Sequence, residues 1–533
     1  MPATLKKQPR VVGICPLLIV AAIGAASAPR ASASVAAPAH KAPFKVSRAT
    51  TYLTSPVLPS GRINYVAAIN AAAKRGVTKA NNAGALVAQT FVMPMVNAGY
   101  VARFYRALGI KRPLPNARYR QWTAYAQRHF RPKGLMAGSA AEQTIFFKSG
   151  DATMHPWTSA QHPRVAALLK LDGPALRLAI RASHRNKFYM PMFPDHPNGA
   201  MIGVLLPNLA VERGETDGLV RMAMHEVGSG RPARAVTPIL AAYRLAALEG
   251  HQPFLICDLV AWDDSNVATR STRYLLAHHD LRKPQEQALL RAIMALPNFA
   301  SLASSVNVAE RYGMLDSAER LALGHAKALR ELLPTAWASG GKRPVRSAMD
   351  QIHMDAFLSR VRWNLLLTDL NRFYDANIKA LGTPGYARQK LALDEWASRI
   401  RGDHISVTKM PWPGPPAGRL ATTLKLRDFF ISLMYANMFK ALQFRDDAIL
   451  QQRMVEIGLA LAIYHADHHI YPKTIAMLTP KLLPTPLLNP FTAKPLIYRR
   501  KHGGYTLQAW TPVGGKGRVK THHGFVVTLR CGK

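Results

Sequence analysis

The clearest hydrophobic pattern lies near the C-terminus. Met454, Ile457, Leu459, Leu461, Ala462 and Tyr464 recur at helical spacing, which predicts a helix over Leu450 to His469. Tyr471-Pro472 ends it, because proline has no amide hydrogen and clashes with the turn before it. A link punctuated by Pro480, Pro484 and Pro486 follows. Ile497-Tyr498, and then Tyr505, Leu507, Ala509 and Trp510, are β-prone and partly alternate, with Gly503-Gly504 as a hairpin turn between them. Phe525 to Leu529 reads as a third strand. The pattern predicts one helix packed on a small antiparallel sheet.

Everything before it is helical in pattern. Gly61 to Thr90 predicts a helix ending near Gly76 and a second one capped by Thr78. Helices are also predicted over Tyr100 to Phe130, Val165 to Ser183 and Leu205 to Val227. Gly218 to Gly250 reads as a helical hairpin turning at Gly228-Ser229-Gly230-Arg231-Pro232. Further helices are predicted over Phe254 to His279, Gln285 to Ala295, Ser317 to Leu333, Asp350 to Leu381 and Leu420 to Leu442. No second copy recurs at a fixed period. The predicted fold is mainly α: an irregular multi-helix body of helical hairpins plus a small C-terminal α+β module with an antiparallel sheet. The predicted divisions are a signal peptide over 1–33, a disordered linker over 34–60 and the helical body over 61–410. A Pro-rich linker over 411–418 and the long helices with their module over 419–533 complete them.

The order Y-x4-H-I-Y-P, L-x-P-K-L-L-P, N-P-F-T-A-K-P-L-I-Y-R-R and G-Y-T-L runs from Tyr464 to Leu507. N-Y-V-A-A-I-N-x5-G-V-T-x2-N-N-A stands over Asn64 to Ala83, and W-N-L-L-L-T-D-L-N-R-F-Y-D-A-N-I over Trp363 to Ile378. In these blocks the chain resembles a group of uncharacterised, exported, helix-rich proteins of planctomycete-type bacteria. Its C-terminal module is more distantly similar to the globular part of the major pseudopilin of type II secretion. The resemblance spans roughly Gly61 to Leu529 in discontinuous pieces. It implies export, a helical body and a pilin-like module, and no particular activity. Asn489 stands where an Asp often precedes the Pro. The loop from Thr511 to Gly524 lacks the carboxylates that calcium needs, so no calcium is implied.

Charge changes the picture most. The formal net charge is +40, from 70 Lys and Arg against 30 Asp and Glu. No acid precedes Glu142 and none follows Asp467; the first 141 residues carry twenty Lys and Arg, and the last 66 carry eleven. Such ends attract polyanions and lose that attraction in salt. Adaptation to acidic surroundings, or a composition biased to Arg, gives the same totals. Lys6, Lys7 and Arg10, the apolar run Val11 to Ala26 and the triplet Ala31-Ser32-Ala33 have the order of a secretory signal. An uncleaved N-terminal membrane anchor is the alternative. Cys257 and Cys531 either pair or stand as isolated thiols.

Candidate chemistry is thin. His465, Asp467, His468 and His469, with His522 and His523, form the best metal candidate, since His465 and His469 share a helix face. His225-Glu226 lacks the second His of a metalloprotease helix. His278-His279-Asp280 reads as a helix C-terminal turn. Asn81 and Asn82 read as turn residues, and Gly514 to Arg518 as a flexible basic hairpin loop. Phe104, Tyr105, Tyr119, Trp122, Tyr125 and Phe130 interleave with bases, a pattern shared by single-strand nucleic-acid sites and core faces flanked by arginine stems. No catalytic, metal or cofactor-binding residue is assigned. The leading expectation is a non-enzymatic protein of the periplasm or cell envelope, a scaffold that binds an anionic polymer or envelope surface. Peripheral membrane association and nucleic acid remain among its candidate partners. The alternatives are a hydrolase with a site assembled from distant loops, and a component of a secretion or pilus-like assembly.

Overall fold

The computed structural model describes residues 42–90, 98–112, 119, 152, 155–194, 199–206, 208–332, 348–401, 418–514, 518–521 and 524–531. Its first helices are α1 (Tyr65–Ala73), α2 (Ala83–Val87), α3 (Ala98–Leu108) and α4 (Pro163–Ala182). The cap of α2 is Asn82 rather than the expected Thr78. Its carbonyl oxygen accepts from the Gly84 and Tyr189 amides while its NH2 donates to the Tyr189 carbonyl, which ties the helix start to a distant segment. Thr78 instead closes a turn with Asn81. The expected disordered linker over 34–60 is also corrected. From residue 42 onward it is packed, with Phe44 and Thr51 buried. The Lys45 amide donates to Asn364 at 2.8 Å, and Asn371 donates to the Ala49 and Thr50 carbonyls. An Ala- and Ser-rich composition hides this order, because distant asparagines supply the partners.

A two-stranded ribbon of β1 (Phe193–Pro194) and β2 (Val204–Leu205) leads into α5 (Leu209–Gly228). The expected hairpin follows, with α6 (Pro232–Glu249) returning along α5. Gly230 turns the chain at φ +74°, and Pro232 starts the new helix, where its missing amide hydrogen costs nothing. Every residue of α6 from Pro238 to Glu249 except Arg244 is buried. A helix apolar on all sides sits in the middle of a core. The next helix, α7 (Leu255–Ala277), packs on both α5 and α6, and α8 (Lys283–Met294) follows it.

Helix α9 (Leu302–Ser305) continues through a π turn, Val306–Glu310, into α10 (Arg311–Leu332). The helix predicted over Asp350 to Leu381 is two, α11 (Ala348–Ser359) and α12 (Trp363–Gly382), divided at Arg360 to Arg362. Tertiary contact sets that break: the Arg362 amide is taken by Thr423 instead of by the preceding turn. Helix α13 (Tyr386–Arg401) follows. The two helices predicted from Leu420 and Leu450 are one, α14 (Arg419–His468), with 50 residues. At 1.5 Å per residue it is about 75 Å long. The polar stretch Gln443 to Ile449 contains no breaker and is itself partly buried: Arg445 reaches Gln389 of α13, and Asp446 and Asp447 lie inside. Arg427 pairs with Asp369 of α12, and Arg273 of α7 reaches Gln451. Helix α14 is thus packed on different sides along its length. His469 ends it in the left-handed conformation, before Pro472.

The sheet is β3 (Ile497–Lys501), β4 (Gly504–Thr511), β5 (Arg518–Thr521) and β6 (Gly524–Cys531), in the antiparallel order β3-β4-β6-β5. The first turn is His502-Gly503, with Gly503 at φ +71°, one residue earlier than expected. β5 occupies part of the stretch expected to be loop. Tyr505, Leu507 and Leu529 bury against α14 and α7, so the module shares the core of the body. Cys257 is buried and free. Among the described residues no helix is long and apolar enough to cross a membrane. Of the predicted Pro-rich linker over 411–418, residues 411–417 lie outside the described residues, as does the leader.

Candidate functional site

The basic face of the C-terminal module begins at its edge strand. β3 has one neighbour, and Arg499, Arg500 and Lys501 on it are exposed. Tyr498 donates to the Pro472 carbonyl at 2.9 Å, and Arg500 to that of Tyr471 at 3.2 Å, which fixes the strand to the helix-ending turn. Lys473, Lys481 and Lys494 are exposed on the connecting loops. Asn489 closes one of those loops by donating to the Trp510 carbonyl and accepting from the Phe491 amide. Asp467, the last acid of the chain, is paired with Lys283. Edge bases of this kind also discourage strand-to-strand aggregation.

A second basic place is a cleft of about 460 Å³ lined by Pro43, Ser359, Arg362, Trp363, Asn364 and Arg419. Helices α12 and α14 both start there, so the positive ends of their dipoles add to the basic potential.

The partition of charge extends through the molecule. Among the described residues, thirteen Asp and Glu are buried, but only three Arg (Arg62, Arg221 and Arg311) and no Lys. The exterior is therefore more cationic than the formal charge implies.

The sequence-level metal candidate separates into other roles. The His465 ring stacks on Tyr471 with centroids 4.4 Å apart. Burial first, then His279 and His469, push its pKa down. His468 lies against Tyr464, and His469 caps α14. His522 and His523 lie outside the described residues. Among the described residues no group of three or more His, Cys, Asp or Glu is placed to hold a metal ion. His278 and His279 form the C-terminal turn of α7. Phe104, Tyr105 and Tyr119 are buried core, whereas Trp122, Tyr125 and Phe130 lie outside the described residues. Of the Gly514 to Arg518 loop, Arg518 belongs to β5.

Two arrangements were not visible in the sequence. His225 Nε2 lies 2.9 Å from Ser159 Oγ at an exposed position. Its ring is 4.6 Å from Trp157, whose backbone presses on α5 where Gly228 leaves room; a Cβ there would fall 2.3 Å from the Trp157 carbonyl oxygen. Burial lowers the His225 pKa, which favours the neutral imidazole. No carboxylate orients it from the other side among the bonds of the described residues, so the pair lacks the third member of a triad.

The other arrangement is a group of buried acids between α5, α6 and α7: Glu212, Glu215, Glu249, Asp258 and Asp264. Glu212 accepts from Asn208 at 2.6 Å and from Gln252 at 3.5 Å, and burial pushes it up to about 7. Glu215 accepts from Thr90, and Asp258 from Ser305 at 2.5 Å. Spacing held a signal: Leu209, Glu212, Thr216 and Leu219 share one face of α5, so Glu212 stands in an apolar stripe.

No protein-family model, no curated protein and no solved structure matches this chain.

Proposed function

We propose that the protein is a non-enzymatic, exported scaffold of the cell envelope that binds anionic polymers through its cationic exterior. The C-terminal module is the principal contact face. The observation that carries this reading is the partition of charge among the described residues: thirteen acids but only three arginines and no lysine are buried. Binding of this kind is long-ranged and weakens with salt, because it releases counterions from the polymer. Retention on a heparin column tests it. The expected result is elution well above the salt that releases a neutral control of similar size; co-elution with that control rejects the reading. Export, the group resembled and the envelope location belong to the same proposal.

A hydrolase is the second reading, favoured by the Ser159–His225 contact alone. Labelling by a fluorophosphonate probe that is lost in Ser159→Ala would support it. Equal labelling of both proteins, or none of either, would reject that pair as a nucleophile and base.

A further inference from the structure

Glu249 and Asp264 are 1 % and 0 % exposed, and neither oxygen of either carboxyl group has a hydrogen-bond partner. The second oxygen of Glu215 is also unpartnered. Glu249 is the last residue of α6, at the negative end of that helix dipole. Among the described residues the nearest cations are already engaged. On α5, Arg213 lies near enough to favour ionised Asp264, but it is paired with Asp263 at 2.5 Å, and Arg221 faces Asp217 at 3.5 Å. Asp172 of α4 acts on Glu215, and the Cys257 thiol of α7 feels Glu212, Glu249 and its neighbour Asp258. Glu310 of the π turn stands beyond Asp258 and accepts from the Leu255 amide. Among the described residues, the charged groups that act on these carboxyls are acids, apart from the engaged Arg213.

Carboxylates buried together without a counterion stay neutral by keeping their protons. We propose that Glu212, Glu215, Glu249 and Asp264 form a proton-holding node, and that the α5–α6–α7 bundle is tightest in acid and loosens as the medium passes through neutrality. Burial first, then the neighbouring acids, raise Glu249 and Asp264 well above the carboxylate range. The node contributes its full stability below the unfolded-state value near about 4.3, and that contribution is lost as pH rises through the folded-state values. For Glu212 that upper limit is about 7. The inference is independent of polymer binding.

Thermal unfolding of the full chain, of Glu249→Gln and of Asp264→Asn, at pH 4.0 and 7.5 and equal ionic strength, tests it. The amides mimic the protonated acids. Both variants are expected to melt higher than wild type at pH 7.5, by at least about 3 °C, and within about 1 °C of it at pH 4.0. Comparing each variant with wild type at one pH removes the general effect of net charge. An equal shift at both pH values, or a lower melting point at pH 7.5, overturns the proposal. Stabilisation of wild type at pH 7.5 by millimolar calcium, manganese or zinc would also overturn it, in favour of a cation held by the same acids. If neither variant folds, hydrogen exchange in wild type decides. Corrected for intrinsic rates, the amides of 240–249 should be less protected at pH 7.5 than at pH 5.0, and unchanged protection rejects the node.

Discussion

Two of the groups of buried acids among the described residues are built in opposite ways. Around α10, Asp316 accepts from Arg62 at 2.7 Å through one oxygen, and from Arg320 and the Met201 amide at 2.8 Å through the other. Glu319 accepts from the Tyr65 hydroxyl at 2.6 Å and from the Ile63 amide at 3.0 Å. All four oxygens are occupied, by partners from residues 62–65, from Met201 between β1 and β2, and from Arg320 one turn along α10. That group is a latch: it ties residues 62–65 to the body by charge-assisted bonds. In the α5–α6–α7 node, the four oxygens of Glu249 and Asp264 have no partner. Depth of burial is alike in the two groups, so the difference lies in the donors. The donors hold one group in place and are missing at Glu249 and Asp264 in the other, although burial raises Glu319 to about 7 as it does Glu212.

The largest test of that comparison removes the latch's cation. Arg62→Ala leaves Asp316 buried with Arg320 as its sole charged partner and should cost about 3 kcal/mol or more. Urea unfolding reads the cost, and limited proteolysis should release the segment before α1; an unchanged midpoint would mean that the latch does not hold it. Next comes the same change of chemistry in both groups. Glu319→Gln can keep the Ile63 bond through its oxygen and donate to the Tyr65 hydroxyl, whose own hydrogen goes to the Thr51 carbonyl, but it loses the charge-assisted bonds and should destabilise by about 1 kcal/mol at pH 7.5. Glu249→Gln should stabilise at that pH, so opposite signs from one kind of substitution sharpen the contrast, and like signs break it. The pH dependence of wild type is the third test. Glu212, raised to about 7, stabilises fully below about 4.3, and this alone accounts for a loss on the order of 3 kcal/mol by the time pH has risen through 7. Denaturant midpoints across pH 4 to 8 measure it, and a flat profile in both wild type and Glu212→Gln would contradict it. The smallest effect on stability belongs to the outward bases. The double substitution Arg499→Ala with Lys501→Ala should change stability by less than about 0.5 kcal/mol, yet lower the salt needed for elution from heparin. Elution unchanged from wild type would move the contact face away from β3.

Local signals carried much of the fold. Gly230 and Pro232 mark the α5–α6 turn through their own backbone limits, and Pro472 ends α14 in the same way. The alternation at Tyr505, Leu507 and Ala509 marks β4. The errors fall where a polar residue is answered from far away. Gln443 to Ile449 reads as a break because its acids and Arg look solvated, although Arg445 and Gln389 meet inside the bundle. Residues 42–60 read as a tether because their asparagine partners lie more than three hundred positions on. Of the candidate chemistry, the basic module was legible, since absence of acids is a property of the string. The Ser159–His225 contact was not, because 66 residues separate the pair.

The sequence by itself determined that this chain is mainly helical, that a small antiparallel sheet follows the last helix, and that no acid stands before Glu142 or after Asp467. These follow from residue order, periodicity and composition, which act over a few positions. Only the tertiary structure decided which acids face inward and which of those meet a donor. A glutamate on a helix is the same letter whether its face meets water, an arginine or another glutamate, and its protonation is set by that neighbour.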